Sequence, residues 1–157
     1  MGFFDNIMEH ARRWQAELVD EAKERDAHEA RANEQSPREK ALLRELAQAA
    51  GAAVDAGEAP GLVRYALLFS GEVQFVGFRY TNMRLARERG LTGWAHNEDD
   101  GTVTMEIQGP PATIGAHLGM LHAYYREYGN RVWLEEAEAM EPRPDEADFA
   151  IKDLYGY

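Results

Sequence analysis

The residues from Ser70 to Arg79 (Ser70-Gly71-Glu72-Val73-Gln74-Phe75-Val76-Gly77-Phe78-Arg79) combine the types that hold an anion. They run from the end of an alternating, strand-like segment into the start of a helical one. A helix N-terminus offers backbone N–H groups with no intrahelical partner, and its dipole favours negative charge. Arg79 falls in the first helical turn, where its planar fork of donors matches the oxygens of a phosphate. Gly71 and Gly77 let the backbone turn sharply and approach a ligand closely. A cation in the first turn opposes the dipole unless an anion answers it. An ordinary glycine-bearing turn with a solvent-facing arginine fits the same residues, and physics alone leaves both readings open.

The elements that must position this loop follow from periodicity. Leu62–Ser70 alternates as a strand, and residues 78–89 are helical, with Phe78, Asn82, Leu85 and Ala86 on one side and Gly90 as the stop. Leu91–Asn97 and Thr102–Gln108 form a hairpin around Glu98-Asp99-Asp100-Gly101, and Val103, Met105 and Ile107 alternate with polar neighbours. Gly109-Pro110-Pro111 opens a further helix whose buried face carries Ile114, Leu118, Leu121 and Tyr125. Val132–Met140 and Asp148–Leu154 read as two last strands, separated by Pro142 and Pro144. The order strand, helix, strand, strand, helix, strand is the ferredoxin-like split βαβ arrangement, an α+β fold with an antiparallel sheet and two helices on one face.

Residues 1–61 have a different texture, free of strand-like alternation. A first helix is expected over about 4–34, with Phe4, Ile7, Met8, Ala11, Gln15 and Leu18 at helical spacing and a solvated second half. Ser36-Pro37-Arg38-Glu39 is a capping box: the Ser36 hydroxyl accepts from the Glu39 amide, and Glu39 reaches back to the Ser36 amide. Leu42, Leu43, Leu46, Ala50, Ala53 and Val54 give that second helix an apolar face. Gly57-Glu58-Ala59-Pro60-Gly61 reads as a linker, so the chain divides into a helical extension and linker, 1–61, and a domain, 62–157. The extension can pack on the domain, join two copies or lie on a partner. Self-association or intramolecular packing is the favoured expectation, and its net charge of about −5 disfavours anionic lipid.

Composition narrows the classes. The 157 residues carry a net charge of −11, which argues against broad nucleic-acid binding, since that needs many phosphate-neutralising cations. The absence of cysteine removes disulfides, thiolate zinc and a cysteine nucleophile. No apolar run is long enough to span a bilayer and no targeting segment stands out, so a cytoplasmic protein without a membrane partner is expected.

The loop also resembles the acylphosphatase signature G-x-V-Q-G-V-x-F-R: Gly71, Val73, Gln74, Val76, Phe78 and Arg79 match. Gly90-Leu91-Thr92-Gly93-Trp94-Ala95-His96-Asn97 and Asp100-Gly101-Thr102-Val103 are similar to the family's second signature, G-L-x-G-W-V-x-N followed by D-G-x-V. Gln108-Gly109-Pro110 and Phe149-Ala150-Ile151 also agree, so the resemblance runs from about 62 to the C-terminus. It implies hydrolysis of an acyl phosphate to a carboxylate and inorganic phosphate by direct water attack. In that reading Arg79 binds the substrate phosphate and the amides of Gly71, Glu72, Val73, Gln74, Phe75, Val76, Gly77 and Phe78 complete the cradle. Asn97 positions the water, and no metal, other cofactor or covalent phosphoenzyme is required. The chain departs from the family at Phe75, where glycine is usual. If that position needs a positive φ, the bulky residue costs on the order of 1–3 kcal/mol. The sequence leaves open whether the ring distorts the loop or lines its mouth. An impaired, anion-binding or regulatory module with associating helices is the alternative function.

Other residues suggest plainer roles. His10, His28, His96, His117 and His122 are expected at the surface or partly buried, with no metal, and His96 on the opposite strand face from Asn97. Glu98-Asp99-Asp100 suits a solvated turn, Tyr124, Tyr125 and Tyr128 suit core and rim, and Glu135, Glu136, Glu138 and Glu141 suit an exposed sheet edge.

Overall fold

A computed structural model describes residues 2–59 and 61–152. Pro60 of the expected linker, Asp153 and Leu154 of the expected last strand, and the side chain of Phe4 lie outside the described residues. Two helices, α1 (Phe3–Asn33) and α2 (Pro37–Asp55), precede β1 (Val63–Gly71), α3 (Phe78–Glu88), β2 (Thr92–Asn97), β3 (Val103–Gly109), α4 (Pro111–Glu127), β4 (Val132–Met140) and β5 (Phe149–Lys152). The sheet order is β4-β1-β3-β2-β5. The three pairs among β4, β1, β3 and β2 are antiparallel, as expected for the ferredoxin-like arrangement, but β5 pairs with β2 in parallel, so the sheet is mixed. The parallel edge has a topological cause. β4 and β5 lie at opposite edges, so the connection between them must cross the sheet.

That crossing is fastened on the sheet face away from the helices. Arg64 of β1, with its side chain fully buried, donates to Glu106 Oε1 at 2.9 Å and to both carboxylate oxygens of Glu146 in the crossing segment at 2.8 and 3.1 Å. Burial alone would raise the Glu146 pKa, but the two hydrogen bonds and the charge of Arg64 oppose it and the carboxyl is held below its ordinary range. Gln108 adds a clasp, accepting from the Arg143 amide at 2.6 Å and donating to the Arg143 carbonyl at 2.8 Å.

The opposite face carries the core. Leu67 and Phe69, Ala95, and Val103, Met105 and Ile107 project from the strands onto Phe78, Leu85, Ile114, Leu118, Leu121 and Tyr125 of the helices. Leu42 and Leu46 of α2 join the same cluster, so three helices rather than two cover this face. α2 also closes the exposed edge of β4. Ser36 Oγ donates to the Leu134 carbonyl at 2.6 Å and Arg38 Nη2 to the Ala137 carbonyl at 2.5 Å. Only half of the expected capping box forms. Ser36 Oγ accepts from the Glu39 amide at 3.0 Å, whereas Glu39 turns inward and places Oε2 3.7 Å from His122 Nδ1.

His117 and His122 correct the expectation of surface or partly buried histidines, for both are buried. His117 meets Asn82 Oδ1 at 3.0 Å through Nε2, and the Asn82 amide donates to the Phe78 carbonyl at 2.8 Å. Burial, with a smaller contribution from Arg89, lowers the His117 pKa to about 4. A neutral imidazole with Nε2–H satisfies Asn82, which is why helix α4 accepts a histidine on its apolar face.

Candidate active site

The loop between β1 and α3 has an unusual backbone. Phe75 takes φ 64° and Gly77 φ 72°, while Val76 between them keeps a negative φ. Alternating handedness turns successive N–H groups toward one side, the arrangement that makes an anion-binding nest. Gly77 is also the N-cap of α3 and, having no side chain, supplies no capping oxygen; no acidic residue occupies the first turn. The first amides of α3 are thus answered by neither a cap nor a carboxylate, and Arg79 sits among them. The Phe75 conformation settles the geometric question that the sequence left open: the position does require a positive φ, and a phenylalanine occupies it with its side chain fully exposed.

Several contacts hold the loop. Gln74 Nε2 donates to the carbonyls of Glu98 and Thr102 at 2.7 and 2.9 Å, tying the loop to the β2–β3 turn next to Asn97. In that turn Glu98 accepts from Thr104 Oγ1 at 2.7 Å; this bond, then one with His96, draws its pKa below the ordinary range. The Tyr125 hydroxyl of α4 donates to the Val76 carbonyl at 3.2 Å and lies 3.0 Å from Thr81 Oγ1. Burial raises the Tyr125 pKa, so its hydroxyl keeps its proton to donate. Among the described residues the Arg79 guanidinium donates to the Lys152 carbonyl at the end of β5 at 3.2 Å, one of the bonds its five N–H groups can make. Among the described residues, Asn97 Oδ1 is buried without a protein hydrogen-bond partner.

Val73, Phe75, Gly77, Phe78, Arg79, Tyr80, Asn97 and Ile151 line one cleft of about 230 Å³. The structure therefore brings Arg79, Asn97 and the latter part of the loop to one place. Val76 contributes its carbonyl to the Tyr125 contact at its rear, and the Gln74 side chain is spent on the β2–β3 turn. Glu72 departs from the expected cradle: its amide donates to the Arg131 carbonyl at 2.7 Å, and its carboxylate accepts from Asn130 Nδ2 at 3.1 Å. Gly71 pairs with Val132 in the sheet, where a Cβ would strike the Arg131 carbonyl oxygen. These two residues anchor the loop to β4. Tyr125, Lys152, Ile151 and Tyr80 are participants that the sequence did not assign to the site. A buried tyrosine signals that its hydroxyl needs a partner, but the partner here is 49 positions away in the chain.

A family model described as acylphosphatase matches residues 65–151. A curated relative named acylphosphatase from Geobacillus thermodenitrificans is 40% identical over 93 residues, which cover 59% of this chain and 95% of the relative. One of the same name from Marinobacter nauticus is 40% identical over 78 residues, covering 50% of this chain and 80% of its own length. Among solved structures, that of the acylphosphatase from Bacillus subtilis is 25% identical, covers 57% of this chain and 97% of its own, and superposes with a TM-score of 0.46.

Proposed function

The chain belongs to the acylphosphatase family, and from that premise we propose that it hydrolyses the carboxyl–phosphate bond of acyl phosphates, with Arg79 and the amides from Val73 to Phe78 as the phosphate cradle and Asn97 as the residue that positions water. The observation that carries the reading is the cleft that unites the uncapped N-terminus of α3, Arg79 and Asn97. Phosphoryl transfer asks a protein mainly for positioning and for stabilising charge on the equatorial oxygens, and preorganised N–H donors supply both. The Asn97 oxygen can accept a hydrogen bond from the attacking water, but an amide is no base. In the proposed step the water oxygen bonds to phosphorus and the phosphorus–acyl oxygen bond breaks. Its electron pair leaves on the carboxylate, and the water proton passes to a phosphate oxygen, giving dihydrogen phosphate. No residue is phosphorylated and no metal or other cofactor enters the step. The reading places the protein in the cytoplasm.

The test is hydrolysis of benzoyl phosphate in buffer containing a chelator, with inorganic phosphate as competitor. The expected result is turnover that phosphate inhibits; a folded protein without turnover would overturn the reading.

A second role is favoured by α1. Ile7, Met8, Trp14, Leu18 and Val19 are large apolar side chains exposed along its first half, whereas a hydrogen bond to the domain among the described residues lies further on, from His28 Nε2 to the Gly129 carbonyl at 2.6 Å. The proposal assigns that first half to self-association.

A further inference from the structure

Phe75 is unfavourable twice over. An L-residue in the left-handed region is strained, and glycine would hold the same turn without that strain. Its ring also lies wholly in solvent, where it contributes nothing to the core. Strain kept at one residue of a binding loop points to a role for the side chain that is present. The cleft suggests which role. At its wall Phe75 is joined by Tyr80, an aromatic residue 62% exposed, and by the half-buried Ile151. Arg79 is the one charged residue among the described residues that line the cleft. The phosphate of a substrate must take the arginine and the amides. Its acyl group then meets a border of aromatic and aliphatic side chains, with no second cation among the described lining residues to match a second carboxylate.

We propose that Phe75 and Tyr80 form an apolar wall for the acyl group, making aryl and other bulky apolar acyl phosphates the preferred substrate class over acetyl phosphate. The inference rests on the acylphosphatase reading and deepens it. The ring offers its face or edge to an aryl group at the cost of few rotatable bonds. The loop strain sets the direction in which that ring projects.

The experiment compares kcat/KM for benzoyl phosphate and acetyl phosphate in the full chain and in its Phe75→Ala and Tyr80→Ala variants. Alanine at 75 keeps an L-residue at the strained position, so the ring is removed without the backbone freedom that glycine would add. Taking the ratio of the two substrates cancels changes common to both. The benzoyl-to-acetyl ratio is expected to fall about 3- to 10-fold in Phe75→Ala, mainly through KM for benzoyl phosphate. Inhibition gives a second reading: phenylphosphonate is expected to bind the full chain more tightly than methylphosphonate, with the difference reduced in Phe75→Ala. Turnover of both substrates with a ratio unmoved in either variant would overturn the wall and leave the hydrolase reading standing. Turnover of neither substrate by the full chain would overturn both.

Discussion

Arg79 and Asn97 differ in what the fold asks of them, and this makes their substitution informative. Among the described residues Arg79 makes one hydrogen bond, to the Lys152 carbonyl, and Asn97 Oδ1 makes none, so neither side chain is expected to be central to stability. Arg79→Ala is expected to lower kcat/KM by at least about 10²–10³-fold, as for loss of a preorganised oxyanion donor. Asn97→Ala is expected to lower kcat with less effect on inhibition by phosphate, since the proposal gives it the water and not the phosphate. Steady-state kinetics together with circular dichroism check both. Phe75→Gly releases a strain of about 1–2 kcal/mol against a glycine entropy cost of about 0.5–1 kcal/mol, so its thermal midpoint is expected to hold or rise slightly. Both polar residues were legible in the sequence because each ends a spaced signature. The sign of φ at Phe75 was not, because the sequence there shows a residue that ordinarily avoids that region. That the Glu72 amide donates to the Arg131 carbonyl was not legible either, because that partner is 59 positions away and no local pattern reveals it.

At the level of elements, the strands and helices followed from alternation and from Gly and Pro punctuation, since each half-buried face imposes its own period. What local pattern did not give was contact between elements: α2 on the edge of β4, the parallel β2–β5 pair, and Tyr125 behind the loop. Ser36 is the hinge of the first of these. It accepts from Glu39 and donates to Leu134 at once, so Ser36→Ala removes a cap and leaves a strand carbonyl unanswered. A loss of roughly 1–3 kcal/mol in denaturant unfolding is expected. Tyr125→Phe keeps the ring contact with Phe78, at 5.6 Å between centroids, but removes the hydroxyl that holds Val76. The expected outcome is a stability loss of about 1 kcal/mol and weaker inhibition by phosphate, because the loop is less well held. An unchanged phosphate inhibition constant would show that the tether is structural only.

Over the whole molecule, two buried ionisable groups act on stability in opposite directions of pH. Burial raises Glu39 to about 7 from 4.5, so the folded state holds a proton that the unfolded chain releases. Its protonated form favours folding at low pH, and that advantage is lost as pH rises from about 4.5 through 7. His117, lowered to about 4 from 6.5, does the reverse: its contribution is complete above pH 6.5 and is lost as pH falls toward 4. Thermal melts of the wild type and Glu39→Gln at pH 5 and pH 8 are expected to show the variant gaining relative stability at pH 8. The curated relative matched over 95% of its length by 93 residues here has no room for an extension of this size, yet Leu42 and Leu46 share the core of this chain. Deleting residues 1–57 is accordingly expected to lower the thermal midpoint, while Trp14→Glu is expected to abolish the proposed self-association in sedimentation without lowering it. The role of the cleft is tested most directly by measuring benzoyl phosphate hydrolysis by the full chain and by Arg79→Ala, each with and without inorganic phosphate. Phosphate-inhibited turnover in the first and its near-complete loss in a folded second are expected; equal turnover in both, or none in either, would contradict the proposed hydrolase.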